Sequence, residues 1–169
     1  MLVLCFSATA FAQDNFDKFE DMKGVTSMVM TPKMFKLLGK VDLNSSDPEM
    51  QNYIDLVNNL DNIKMYTSTD ENVSQQMRTD VKSYLGSANL EELMRVKDDG
   101  KNVKFYYKPG KNDDYVREFM MFLDGDLDGD KRTVIIKITG DIDLKQISKL
   151  AKDINFPGGE ELKNVKKPN

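Results

Sequence analysis

The chain has 169 residues but no histidine, no tryptophan, one cysteine and only five prolines. Without histidine there can be no Ser-His-Asp triad and no histidine metal site, and the commonest general base near neutral pH is missing. The single cysteine, Cys5, lies in an apolar N-terminal stretch. Once that stretch is removed the chain can form neither a disulfide nor a thiolate, which excludes a thiol enzyme and leaves stability to packing. Zinc is left without its usual ligands, and no cofactor is expected. A concentrated basic face is also lacking: the formal net charge is −4, with both signs interspersed. This argues against nucleic acid as a partner. The one basic cluster, Lys163 with Lys166 and Lys167, lies in a Gly/Pro/Asn-containing tail. No glycine-rich phosphate loop is present, because Gly158-Gly159 is followed by acids.

The first twelve residues, MLVLCFSATAFA, are uncharged and apolar and close on Ala10-Phe11-Ala12, and a polar stretch opens at Gln13-Asp14-Asn15. An apolar core too short for a bilayer, ending in small residues, has the pattern of a secretory signal peptide cut after Ala12. The expected location is therefore periplasmic or extracellular. Lipid anchoring at Cys5 is not expected, because Leu4 stands where lipoprotein processing needs a small residue and Cys5 lies inside the apolar run. No later run approaches the length of a transmembrane helix, so no transmembrane segment is expected in the mature chain. The expected organisation is a signal peptide over 1–12, one domain over 13–156 and a flexible tail over 157–169.

Within the domain, Val25 to Met30 reads as a strand, stopped by Thr31-Pro32. Met34, Phe35, Leu37, Leu38 and Val41 then recur at helical spacing, and Ser46-Asp47-Pro48-Glu49 forms a capping box before a second helix. Asn62 to Ser68 predicts a second strand. Thr69-Asp70-Glu71 opens a third helix, with Val73, Met77, Val81 and Leu85 along it and Gly86 in place for a left-handed cap. The period then shifts to two. Leu90 to Lys97, Asn102 to Lys108, Asp114 to Leu123 and Arg132 to Thr139 read as four strands joined by turn formers. Their alternation predicts an antiparallel meander with one face covered and the other partly wet. A final helix is expected over Asp143 to Ile154. The expected fold class is α+β, two-layered: a mainly antiparallel sheet ending in a four-strand meander, with helices packed on one face.

The sharpest chemical motif is Asp124-Gly125-Asp126-Leu127-Asp128-Gly129, which matches the first half of an EF-hand loop. Asp124, Asp126 and Asp128 are weak calcium candidates, since alternate aspartates before a turn glycine offer hard oxygens. The bidentate glutamate expected at position twelve is Ile135, and the motif lies between two predicted strands. An acidic hairpin turn therefore accounts for it better. The pairs Asp98-Asp99, Asp113-Asp114 and Glu160-Glu161 sit beside turn formers, and none is assigned a catalytic role. The eleven methionines fall mostly in apolar stripes and read as core filling.

The segment Arg132-Thr133-Val134-Ile135-Ile136-Lys137-Ile138-Thr139-Gly140-Asp141-Ile142-Asp143-Leu144-Lys145-Gln146-Ile147-Ser148-Lys149-Leu150 resembles the closing hallmark of the family called domain of unknown function 4252. The early Gly24-Val25-Thr26-Ser27 strand and the stretch Ile63-Lys64-Met65-Tyr66-Thr67-Ser68 fit the same order of parts, so the resemblance spans roughly 16–156. It implies a small exported protein of Bacteroidetes-type bacteria, often a predicted lipoprotein, with no established activity and no catalytic residues to carry across. In this chain Gly140 is expected to permit a turn after the strand, and Asp141 or Asp143 to cap the final helix.

Export, a single domain and the missing catalytic chemistry together predict a non-enzymatic envelope module. It would bind an envelope protein or a cell-surface component, through a patch drawn from Tyr106, Tyr107 or Phe122 on the wet face. The alternative is a small-ligand carrier or a carboxylate-dependent hydrolase, calcium-assisted, which would require acids converging on a cleft.

Overall fold

The computed structural model describes residues 15–31, 33, 34, 37, 51, 54–56, 58–98, 100–127 and 129–143. A 3-10 turn (Asp17–Phe19) leads into β1 (Thr26–Met30). There follow β2 (Leu60–Ser68), helix α1 (Glu71–Ser87), β3 (Glu91–Asp98), β4 (Lys101–Pro109), β5 (Tyr115–Leu127) and β6 (Asp130–Asp143). The six strands form one open sheet in the order β1-β2-β6-β5-β4-β3, and every neighbouring pair is antiparallel. The expected α+β class on a mainly antiparallel sheet is thus what the chain adopts. The signal segment, the C-terminal tail, the final helix and most of the two helices expected between β1 and β2 lie outside the described residues.

The sheet has buried side chains on both faces. On one face Phe119, Met121 and Leu123 of β5 stand opposite Ile138, Ile136 and Val134 of β6, and Ile63, Val103 and Phe105 join the same cluster. The other face presents Tyr66, Tyr106, Met120, Phe122 and Ile135 to Met77 and Val81 of α1. This corrects the expectation of a wet face. Phe119 to Leu123 is an unbroken buried run, which suits a strand covered on both sides, where each such side chain contributes roughly 1.5–3 kcal/mol. Tyr106 and Phe122 belong to the helix-side core, and burial pushes the Tyr106 phenol above its ordinary value. Neither is available for the surface patch expected of them.

Helix α1 starts as its sequence dictates. Asp70 Oδ1 accepts from the backbone N–H of Asn72 at 2.9 Å and of Val73 at 3.1 Å, satisfying two donors that the first turn would otherwise leave unpaired. Its end differs from expectation. The helix runs through Gly86 to Ser87, Ala88 is the C-cap, and Asn89 takes the left-handed conformation at φ 53°. Asparagine tolerates that region because its short polar side chain can bond locally.

The second correction concerns Gly140, which stands inside β6 with φ 148° and does not make a turn. A Cβ there would lie 2.3 Å from the carbonyl oxygen of Asn59, so glycine is required by the close approach of the chain entering β2. The strand runs on to Asp143. Asp141 therefore caps no helix at this point; it lies within β6 and pairs with Lys111 at 2.6 Å.

Candidate functional site

The helix-covered face carries a pair of buried charges amid its apolar core. Glu118 of β5 is 7 % exposed and Lys137 of β6 is 6 % exposed. Tyr84, in the last turn of α1, reaches down between them. Its hydroxyl lies 2.7 and 2.8 Å from the two carboxylate oxygens of Glu118, to which it donates, and it accepts from Lys137 Nζ at 2.9 Å. Lys137 Nζ is 3.7 Å from Glu118 Oε1 and 4.6 Å from the centre of the Tyr84 ring. Two opposite charges buried together need both mutual attraction and hydrogen bonds to offset their lost hydration, and the phenol supplies those bonds.

A bulge puts Glu118 there. Val116 faces the opposite core with Ile142, and strict alternation would turn Arg117 toward α1. The register instead shifts between Val116 and Glu118, leaving Arg117 exposed and setting Glu118 on the helix side. The sequence offers no signal for this. Residues 84, 118 and 137 are distant along the chain, and only the register brings them together.

The N-terminal segment closes over this group. Phe16 and Phe19 are fully buried. Phe16 meets the Tyr84 ring edge-on at 5.0 Å, Phe19 lies 6.0 Å from Tyr66, and Lys137 Nζ is 6.0 Å from the Phe16 ring. Polar clamps hold the segment on either side. Lys64 Nζ pairs with Asp17 and, at 3.0 Å, with Glu20, while Lys18 pairs with Asp80 of α1 at 2.6 Å. Ser68 Oγ donates to the Gly24 carbonyl at 2.7 Å. Beside Lys18, a shallow open groove of about 390 Å³ is lined by Asn72, Gln75, Gln76, Thr79 and Asp80.

Two of the three calcium candidates are placed, both in the β5 arm of the β5–β6 hairpin. Asp124 and Asp126 are in β5 and Gly129 is in the turn; Asp128 lies outside the described residues. Asp124 Oδ1 accepts from Arg78 Nη1 at 3.0 Å and from Thr133 Oγ1 at 2.9 Å. Asp126 Oδ1 accepts from the Gly129 N–H at 3.0 Å, a turn-closing bond of the kind short acidic side chains make. Among the described residues no three acidic side chains group closely enough to hold a metal ion. Arg78 also pairs with Glu71 at 2.5 Å; this bond, joined by Lys131, holds the Glu71 carboxyl below the usual range. The hairpin is thereby fastened to α1. Of the other acids singled out, Asp113 and Asp114 lie in the β4–β5 loop, where Asn112 Oδ1 accepts from the Asp114 N–H at 3.1 Å, and Asp98 ends β3.

The fold and this site define an α+β protein built, among the described residues, on an open six-stranded antiparallel sheet, with helix α1 and an N-terminal strap enclosing a buried charged group. The family model described as domain of unknown function (DUF4252) matches residues 19–150, and the chain belongs to that family. None of the curated proteins and none of the solved structures matches it. No helix among the described residues is long and apolar enough to cross a membrane.

Proposed function

We propose that the protein is an exported, non-enzymatic module of the cell envelope that binds a protein partner or a cell-surface component, residues 1–12 being removed as a signal peptide. The observation that carries this reading is how the reactive side chains are spent. Glu118, Lys137 and Tyr84 are committed to one another under the strap, and Asp124 is committed to Arg78 and Thr133. The outward features are of another kind. The two edge strands of the open sheet expose Val29 on β1 and Leu93 on β3, the sort of apolar contact a partner can cover. To test this, the mature chain (residues 13–169) is cross-linked to an envelope extract, the captured protein is purified, and its binding is titrated. Saturable binding weakened by Val29→Lys or Leu93→Lys supports the reading. Recovery of nothing beyond what those variants recover argues against it.

A small-ligand carrier is the second reading, favoured by the polar groove along α1. Its calcium-assisted form is checked by melting the mature chain in millimolar calcium and in chelator. Saturation at one hundred times Kd would stabilise by about 2.7 kcal/mol, so a clear rise in Tm would favour this alternative.

A further inference from the structure

We propose that β1 is the edge along which two copies of this chain join, pairing antiparallel about a two-fold axis so that their six-stranded sheets run on as one. An open sheet has two edges, and here they differ. β3 carries five charged residues among its eight and a register shift at Leu93, both of which discourage the addition of another strand. β1, Thr26-Ser27-Met28-Val29-Met30, has no charge, no proline and no shift in its register with β2. Alternate residues of an antiparallel edge aim both N–H and C=O outward, and among the described residues no group bonds those outward positions of β1. Thr26, Ser27 and Val29 are exposed as well. An edge in this state is a template for a further strand.

A second copy fits this edge in side chains and in charge. With Met28 opposite its own counterpart, Thr26 stands opposite Met30 and Ser27 opposite Val29. All five residues then pair, and each side chain keeps to its own face of the joined sheet. The charges lie at the strand's ends. Asp21 and Lys23 precede β1; Lys33 follows it, and Asp61 lies at the same end of β2, two residues beyond the pairing of Met30 with Ile63. All four are exposed, and among the described residues none has an ion pair within its own chain. Antiparallel joining brings the first end of one copy to the second end of the other, so that Asp21 faces Lys33, and Lys23 faces Asp61, of the second copy. The area limits the strength: five residues a side fall short of the roughly 1,200 Å² at which stable interfaces begin, so association in the upper micromolar range is expected. This joint does not depend on the envelope partner proposed above, for which β3 and Leu93 remain open.

The test is sedimentation velocity of the full chain from low micromolar to near-millimolar concentration, joined to site-specific cross-linking, with folding checked by circular dichroism. Cys5→Ser combined with Met28→Cys leaves one cysteine, placed on the two-fold axis. Directly opposed residues of antiparallel strands stand about 4.5–5.5 Å apart at Cα, within the range a disulfide spans. Leu93→Cys in the same background puts the cysteine on the other, guarded edge, where it is likewise exposed. A dimer that grows with concentration is expected, with mild oxidation linking position 28 about tenfold faster than position 93. Val29→Lys gives β1 the charge that β3 already has and should abolish the dimer while the circular dichroism stays unchanged. A chain that remains monomeric up to near-millimolar concentration would overturn the proposal. So would a dimer that links equally at both positions or survives Val29→Lys, since the copies would then be meeting through another surface.

Discussion

At the scale of single residues, the Glu118–Tyr84–Lys137 group is where small changes should have large effects, because its two buried charges are joined through the Tyr84 hydroxyl. Tyr84→Phe keeps the ring against Phe16 but removes the hydroxyl that donates to Glu118 and accepts from Lys137. A loss of about 1–3 kcal/mol in urea unfolding is expected, with the slope of the transition unchanged. Removing one charge costs more. Lys137→Met leaves Glu118 buried without its counter-ion and should destabilise by about 3–5 kcal/mol. Adding Glu118→Leu to Lys137→Met should recover part of that loss, since the two charges are coupled and the second change removes the orphan. Strict additivity of the two single variants would mean that the charges do not sense each other.

At the scale of elements, α1 holds a glycine that the fold does not need and β6 one that it does. Gly86 lies in the last turn of the helix without a positive φ, and a Cβ there would meet nothing within 4 Å. Gly86→Ala should therefore stabilise the protein by about 0.5–1 kcal/mol, measured by thermal or urea unfolding, through the cost of glycine in a helix. The same change at Gly140 should destabilise, because the carbonyl of Asn59 occupies the space. A glycine after an apolar run looks alike in both places. Only the chain packed against it tells a bulge from a cap, which is why the sequence suggested a turn at Gly140 and a cap at Gly86. The tie between α1 and the β5–β6 hairpin carries a pH dependence. Glu71 titrates below the ordinary glutamate range when folded, so its contribution is present above the unfolded value and is lost as pH falls through the folded one. Stability should decline across the acid range of carboxylates, and Arg78→Gln should flatten that limb in a series of melts at graded pH.

At the scale of the whole molecule, the strands were legible and their surroundings were not. Alternation and turn residues located all six strands to within a few positions, since a period of two and a glycine or aspartate turn are local properties. Coverage of the sheet is a property of the assembled layers. Val103-Lys104-Phe105 alternates as a half-wet strand would, yet the Phe119-Met120-Met121-Phe122-Leu123 run next to it is buried throughout. That unbroken run was the available signal for a sheet covered on both sides. The buried charged group left no such trace, because its register depends on the bulge at Arg117. The layering predicts how the molecule opens. β2, β6 and β5 are central, hydrogen-bonded on both sides and buried, whereas β1 and β3 are edges with largely exposed side chains. In hydrogen exchange followed by mass spectrometry, amides of 60–68, 116–124 and 133–139 should exchange last and through global unfolding, and those of 26–30 and 91–98 first. Residues 16–24 make the discriminating case. They contain little regular structure, and a mere N-terminal extension would exchange at once. A strap built into the core should exchange its amide hydrogens as slowly as the edge strands, and Phe16→Ala should release this segment without changing the protection of β4 and β5 where they pair far from it.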